Sequence, residues 1–119
     1  MRIHLGGSSR QSLVAARAKL DDAVKGTSAS AASELSSHLF FAAEVFASNT
    51  SLRRAFTDAS RDASSKNALV KDLFGSKISS SAADLLAAVA GLRWSAAGDL
   101  VIVIEQLAIE AEATATNLG

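Results

Sequence analysis

The stretch Ser95–Asn117 reads S-A-A-G-D-L-V-I-V-I-E-Q-L-A-I-E-A-E-A-T-A-T-N, and its pattern decides the fold class of the chain. The β-branched V-I-V-I run alone would fit a strand, but strong helix formers follow it, and neither Gly nor Pro occurs between Leu100 and Leu118. Its apolar residues recur at helical spacing and spread beyond one stripe: Leu100, Val101, Ile102, Val103, Ile104, Leu107, Ile109 and Ala111. We therefore predict a long, very apolar last helix that other elements must cover.

Composition limits what the rest of the chain can be. The 119 residues suffice for one domain with a sizeable core, and the absence of cysteine excludes disulfides, thiol nucleophiles and thiolate zinc sites. Lys plus Arg equals Asp plus Glu at 12 each, which argues against binding nucleic acid or anionic lipid through bulk charge. No apolar run approaches the roughly 18 residues of a membrane span. With its short polar N-terminus, the sequence predicts a soluble intracellular chain or an excised fragment.

Shorter segments upstream, each with an apolar stripe, are predicted to surround the last helix. Together they predict an all-α fold, a six-helix bundle with residues 1–8 as a flexible start and 9–118 as a single helical domain. Capping patterns set the expected helix limits. The expected helix starts are a capping box at Ser8–Gln11 and N-caps at Ser28, Asn49, Ser81 and Ser95. A left-handed cap at Gly26 is expected to end the first helix. The fourth helix is expected from Ser60 to Gly75, with Asp62 in its first turn and Leu73 facing inward.

Few side chains could carry chemistry. The only histidines are His4 and His38, and the Glu34 and His38 pair at i, i+4 offers two metal ligands or a proton relay without a third partner. A solvated or partly packed His38 is the favoured interpretation. Serines occur mainly at expected caps, with no nucleophile elbow. We therefore predict no catalytic, cofactor-binding or metal-binding residues, and no enzyme.

The basic residues of the middle segment could form a patch that binds nucleic acid. Arg53, Arg54, Lys66 and Lys71 are interleaved with the acidic residues Asp58, Asp62 and Asp72. Such alternation is typical of a solvent face laced with salt bridges, and the few aromatic residues lie at core spacing. The sequence therefore favours no nucleic-acid partner.

Two helices carry small and apolar residues beyond the stripe that their own core needs. These are Val14 and Ala18 on the first helix, and Leu86, Ala87 and Ala90 on the fifth. Two such helices side by side would form a shallow apolar groove of the kind that accepts an amphipathic helix. The alternative is that the alanines are there only because they favour helix.

A series of motifs between Phe46 and Leu107 resembles a known family. N-T-S-L-R-R-A-F-T-D, S-S-K-N-A-L-V-K-D-L-F-G, A-A-D-L-L-A-A-V-A-G-L-R-W and D-L-V-I-V-I-E-Q-L-A-I-E-A follow in order. They are similar to the N-terminal domain of the delta subunit of the F-type ATP synthase, whose mitochondrial counterpart is the oligomycin-sensitivity-conferring protein. The matching positions are Leu52, Arg53, Lys66, Leu69, Leu73, Gly75, Leu86, Val89, Arg93, Leu107 and Glu110.

The resemblance implies a non-catalytic peripheral-stalk, or stator, domain that links the catalytic head to the stalk. The N-terminal helix of an alpha subunit would lie in the groove between helices one and five. Implied contacts are apolar anchors at Val14, Ala18, Leu86, Ala87 and Ala90, with charges Arg17, Asp21 and Arg93 setting the orientation. A helical regulatory or nucleic-acid-binding adaptor module is the alternative function.

The resemblance also implies a setting for the chain. A b-type stalk subunit would be reached through parts of a parent chain, and both ends of the sequence fit an internal fragment of a fusion between b-type and delta subunits. The expected place is the cytoplasmic face of the bacterial inner membrane, within a peripheral complex and without direct insertion.

Overall fold

The computed structural model describes residues 7–58 and 60–118, which form six α-helices and no strand. The predicted all-α class and helix number are confirmed. The helices are α1 (Gly7–Val24), α2 (Ala29–Ala47), α3 (Thr50–Thr57), α4 (Ala63–Phe74), α5 (Ser80–Ala90) and α6 (Ala97–Leu118). Gly7 and Ser8 were expected in the flexible start but are helical, and the rest of that start lies outside the described residues.

The central contact of the fold is the antiparallel pairing of α2 with α6. Ser36 Oγ donates to the Ala108 carbonyl at 2.7 Å, and Ser33 Oγ donates to the Glu112 carboxylate at 3.1 Å. Leu39 of α2 and Leu107 of α6 are fully buried within the core cluster. All six helices contribute to this cluster, so each buries its apolar face against the same core.

An aromatic cluster connects α2 with α3 and α4. The ring of Phe46 lies 4.9 Å from that of Phe56 in an edge-to-face arrangement and 5.7 Å from that of Phe74. Phe41 meets Phe74 edge-on at 6.1 Å, although it remains partly exposed. Such ring pairs add to the free energy gained from burial alone and fix the short α3 against the long α2.

Several helix limits match the sequence prediction and others differ by a few residues. Ser28 and Asn49 cap α2 and α3 as expected, and Gly26 adopts a positive φ of 72° after α1. Asp62 is the N-cap of α4 and accepts from the backbone N–H of Ser65, so the helix begins after it. Ser79, not Ser81, caps α5, because its hydroxyl accepts from the N–H of Ala82.

Ser8 and Ser95, which the sequence predicts as the N-caps of α1 and α6, are not N-caps in the structure. α1 begins at Gly7, which places Ser8 inside the helix and removes the predicted capping box. Ser9 and Ser95 instead bond to each other across the fold: Ser95 N donates to Ser9 Oγ at 2.7 Å, and Ser9 N donates to Ser95 Oγ at 3.3 Å. Their hydroxyls satisfy backbone donors on partner segments, and sequence spacing gives no sign of a pair this far apart.

The last helix is less apolar than predicted. α6 carries Glu105, Glu110 and Glu112 on its outer side, so it is amphipathic and only partly enclosed. None of the helices in the described part of the chain combines the length and apolar character that a membrane crossing requires. The prediction that Leu73 faces inward is also wrong, since 38% of it is exposed.

Candidate functional site

A shallow concave surface lies between α1 and α5. It is lined by Lys19, Asp22 and Ala23 of α1 and by Ser81, Asp84, Leu85 and Ala88 of α5. We call this surface the α1–α5 groove. Its position between these two helices is the one expected from the sequence, although its lining differs from the residues predicted.

The residues predicted on α5 are mostly buried inside the chain's own core. Leu86 and Ala90 are each 2% exposed, and Ala87 is 9% exposed. α5 packs against α1, α2 and α4, so its apolar surface is nearly surrounded. The prediction that these three residues form an open wall is therefore corrected: they belong to the core, and none of them lines the groove.

The predicted α1 residues lie on another side of that helix. Val14 is 69% exposed, and Ala18 and Asp21 are exposed as well. Arg17 points toward α6, where its Nε donates to the Glu110 carboxylate at 3.0 Å. At about 100° per residue, Lys19 and Ala23 lie on the opposite flank of the buried face from Arg17. Val14, Ala18 and Asp21 therefore lie on the outward face of α1, and Arg17 lies on its α6 side, so none of the four lines the groove.

Arg93 lies at the far end of α5, in the connection to α6. Its side chain is exposed, and its backbone carbonyl accepts a hydrogen bond from the Ser12 hydroxyl of α1. This contact shows that the N-terminal half of α1 meets the C-terminal end of α5. The α1–α5 groove opens toward the other end of the pair, so Arg93 is not one of its lining residues.

The lining residues of the groove share a spacing that sequence reasoning could have used. Lys19, Asp22 and Ala23 follow an i, i+3, i+4 pattern, and so do Ser81, Asp84 and Leu85. Each group borders the buried stripe of its helix on one side. Which of the two borders faces the neighbouring helix depends on the packing direction, and the sequence does not contain that information.

A second depression borders α5 on its other side, toward α4. It is lined by Ser64, Asn67, Asp84, Ala87 and Ala88. Asp84 and Ala88 belong to both surfaces. The exposed strip of α5 is therefore a low ridge of small residues, with one acidic side chain, between two depressions.

His38 has a structural role. Its Nδ1 accepts the backbone N–H of Ser79, the N-cap of α5, at 3.0 Å. The ring therefore ties α2 to the start of α5, and its neutral form holds its proton on Nε2. No group of three or more His, Cys, Asp or Glu side chains suited to a metal ion occurs among residues 7–58 and 60–118.

The basic residues of the middle segment are also used internally. Arg53 Nη1 donates to the carbonyls of Phe46 and Ala47 at 2.7 Å each, which satisfies the C-terminal end of α2. Lys66 is only 3% exposed, and its Nζ donates to the Ala90 carbonyl at 3.0 Å. The expectation of a solvent-facing side chain is therefore wrong for Lys66, while Arg53 is half-buried with its guanidinium held at the end of α2.

Burial changes the acid–base behaviour of Lys66. Removal from water disfavours its charged form and lowers its pKa, while the nearby Asp58 carboxylate acts in the opposite direction. Asp58 itself has a lowered pKa, chiefly because its carboxylate accepts from the hydroxyl and backbone N–H of Ser60. The connection between α3 and α4 therefore places the negative charge of Asp58 close to the buried Lys66 ammonium.

Comparison with known proteins extends these observations. The chain is 39% identical over 111 residues to the ATP synthase subunit delta of Streptomyces coelicolor, an alignment that covers 93% of the chain and 40% of that relative. It is 40% identical over 104 residues to the Arthrobacter sp. subunit of the same name, covering 87% of the chain and 36% of the relative. The chain belongs to the ATP synthase delta subunit family. No family model matches it.

The delta-family chain spans about two fifths of the length of these relatives. The alignment with the ATP synthase subunit delta of Nocardioides sp. is shorter but has a higher identity: 46% over 77 residues, which covers 65% of the chain and 28% of that relative. The resemblance noted from the motifs is thereby confirmed at the level of the family. Membership agrees with the prediction that the chain is not an enzyme.

Proposed function

We propose that this delta-family chain is a peripheral-stalk domain of an F-type ATP synthase that binds the N-terminal helix of an alpha subunit. The α1–α5 groove is the observation that supports this role. In this proposal the domain links the catalytic head to the stalk and takes no part in catalysis. It acts at the cytoplasmic face of the bacterial inner membrane, and a b-type stalk subunit is reached through other parts of the parent chain.

The chemistry of the groove suits an amphipathic helix. Ala23, Leu85 and Ala88 provide an apolar floor, and the small side chains of the two alanines let an incoming helix approach the α1 and α5 backbones closely. Lys19 borders this floor with a positive charge, and Asp22 and Asp84 border it with negative charges. Apolar anchors of the partner would supply most of the affinity, and the charged border would set its direction.

The described part of the chain is also suited to carrying load. Its helix ends are tied by side chains of residues distant in sequence: Ser9 to Ser95, Ser12 to the Arg93 carbonyl, and His38 to Ser79. Hydrogen bonds of this kind resist separation of the segments that they join. A stator needs such resistance because the rotor applies torque to the head that the stator holds.

A peptide titration tests the proposal. A synthetic peptide of the alpha subunit's N-terminus is added to the 15N-labelled chain, and backbone amide shifts are followed. We expect saturable shifts concentrated in α1 and α5 around Ala23 and Ala88. An absence of shifts in these two helices at millimolar peptide would overturn the proposal.

Two arginine variants decide which face of α1 is used. Ala88→Arg places a large charged side chain in the groove and is expected to weaken peptide binding by about tenfold or more. Val14→Arg makes a comparable change on the outward face of α1, away from the groove lining, and is expected to leave binding unchanged. If Val14→Arg blocks the peptide and Ala88→Arg does not, the partner binds over Val14 and Ala18 as the sequence first indicated.

A further inference from the structure

A second concave site lies at the opposite end of the α1–α5 pair from the groove. It is a cavity of about 340 Å³ where the start of α1 meets the α3–α4 and α5–α6 connections. We call it the Lys66 cavity. Its walls are formed by Ser8, Thr57, Arg61, Lys66, Gly91, Leu92, Arg93 and Trp94.

The floor of this cavity is a buried cation with unused donors. Lys66 is 3% exposed, and the Ala90 carbonyl is the one hydrogen-bond acceptor that the described residues provide for its Nζ. An ammonium group has three donors, so two of them have no acceptor among residues 7–58 and 60–118. Burying a cation costs free energy unless an opposite charge or further acceptors compensate.

Two guanidinium groups add to the positive charge of the site. Arg61 and Arg93 line the same cavity, whose wall contains no Asp or Glu. Among the described residues, the ion pair within 4.0 Å is Arg17 with Glu110, and none involves these cations. Asp58 is the nearby carboxylate, but it lies outside the cavity wall and already accepts two hydrogen bonds from Ser60. Three cations therefore line one cavity without an ion pair within 4.0 Å among the described residues, while Asp58 attracts Arg61 and Lys66 from outside the wall.

We propose that the Lys66 cavity binds the phosphate group of a small anion, with Lys66, Arg61 and Arg93 as its ligands. Near neutral pH a phosphate group carries between one and two negative charges and several acceptor oxygens. A carboxylate would supply a single charge and two oxygens to three cations. Guanidinium groups also match the geometry of phosphate oxygens by donating two parallel hydrogen bonds.

Other side chains of the cavity suit the same ligand. The Ser8 side chain lines the cavity and is exposed, so its hydroxyl can donate a hydrogen bond to a phosphate oxygen. The Trp94 indole N–H already donates to the Val89 carbonyl, so its ring serves as an apolar wall. This inference does not depend on the proposed stalk function, since it concerns other residues at the other end of α5.

Trp94 is the only tryptophan of the chain and reports directly on the cavity. Inorganic phosphate and ADP are titrated separately at constant ionic strength while Trp94 fluorescence is recorded, with sodium chloride as the blank. We expect a saturable change with phosphate that chloride does not produce. Equal affinities would identify free phosphate as the ligand, and tenfold tighter ADP binding would identify a nucleotide. A lack of saturable change with either ligand overturns the proposal.

Matched variants separate binding in the cavity from general attraction to cations. Arg61→Gln and Arg93→Gln each remove one exposed cation of the site and are expected to weaken phosphate binding about tenfold. Lys71→Gln removes an exposed cation of α4 that does not line the cavity, and it is expected to bind like the parent chain. Equal weakening by Lys71→Gln would contradict the proposal.

Thermal unfolding provides a second readout. Because a ligand that binds only the folded state stabilises it, phosphate should raise the melting temperature of the parent chain. The rise should be absent in the Arg61→Gln and Arg93→Gln double variant and in Lys66→Met. If Lys66→Met does not fold, the double variant decides. A phosphate-dependent rise that persists in the double variant overturns the assignment of these ligands.

Discussion

The α2–α6 pairing and the region around the Lys66 cavity hold the fold together by different means. Between α2 and α6, side chains such as Leu39, Val103 and Leu107 have no exposed surface, and shape complementarity joins the helices. Around the cavity, side chains donate to backbone carbonyls at the end of α5, as Lys66 does to Ala90 and Trp94 does to Val89. The apolar pairing supplies stability, while the polar contacts fix helix ends and leave a concave charged site.

The difference shows where such a bundle can carry function. A packed apolar interface has no free space and no hydrogen-bond donors to spare. A substitution there therefore lowers the free energy of unfolding. A region joined by hydrogen bonds can keep unsatisfied donors at a cavity wall, as Lys66 does. Substitutions in the two regions should therefore differ in the size of their effect and in its sensitivity to salt and pH.

The largest effect is expected in the α2–α6 pairing. Leu107→Ala should lower the free energy of unfolding by about 2–5 kcal/mol, because a fully buried side chain leaves a cavity. Ile109→Ala on the same helix removes a side chain that is 45% exposed and should cost less than about 1 kcal/mol. Urea denaturation followed by circular dichroism measures both. Similar costs for the two variants would mean that α6 is not packed as described.

A smaller effect is expected where polar contacts fix helix ends. Arg53→Met removes the guanidinium from the Phe46 and Ala47 carbonyls and should cost about 1–3 kcal/mol, because these hydrogen bonds involve a charged donor. Arg54→Met is the matched control, because Arg54 is exposed and its guanidinium makes no hydrogen bond among the described residues. Denaturation of the two variants under the same conditions tests this. A control as destabilised as Arg53→Met would show that lost helix propensity is the cause.

The ion pair between α1 and α6 should contribute still less. The Arg17 and Glu110 side chains are 44% and 30% exposed, so solvent screens their attraction. A double-mutant cycle with Arg17→Met and Glu110→Gln should give a coupling of about 0.2–1 kcal/mol. Repeating the cycle at high salt should reduce it. A coupling well above this range would make the pair part of what holds α1 to α6.

The smallest effect concerns the exposed cap of α4 and depends on pH. The backbone N–H of Ser65 donates to the Asp62 carboxylate at 2.7 Å and lowers the pKa of this group below its usual 3.8. Because the folded-state pKa is lowered, the stabilisation is complete above about pH 3.8 and is lost as pH falls through the folded-state pKa. Asp62→Asn keeps a capping oxygen that does not titrate. The melting temperature of this variant should therefore fall slightly less than that of the parent chain as the pH is lowered.

Melting temperatures between pH 2 and pH 7 measure this difference. Asp72→Asn on the same helix provides the control, because Asp72 is exposed and makes no described hydrogen bond. An acid limb that changes equally in both variants would attribute the effect to net charge and not to the cap.

Much of the fold follows from local patterns in the sequence. Apolar residues at helical spacing in Leu100–Ala111 predict α6, and capping residues such as Ser28 and Asn49 predict helix starts within a residue or so. These patterns can be recognised in the sequence because a helix forms its backbone hydrogen bonds within one segment. The residues on its buried face also recur with a period of 3.6 residues. The family could be identified for a similar reason, since its motifs are short and local.

The site was harder to predict because it depends on which helix faces meet. Periodicity marked Val14 and Leu86 as surplus apolar residues, yet one lies outside the groove and the other is buried by three neighbouring helices. Likewise Lys66 has the sequence context of a solvent-exposed cation and becomes the floor of a cavity. The rotation of each helix about its axis settles these outcomes, and that rotation is fixed by contacts between residues far apart in the chain.

The sequence alone therefore determined the helical class, the number of helices and the family, because each is encoded in spacing along one segment. Only the tertiary structure decided the lining of the α1–α5 groove, the pairing of Ser9 with Ser95 and the burial of Lys66. The physical reason is that local hydrogen bonding selects a helix, whereas packing free energy shared among all six helices selects how each one is turned.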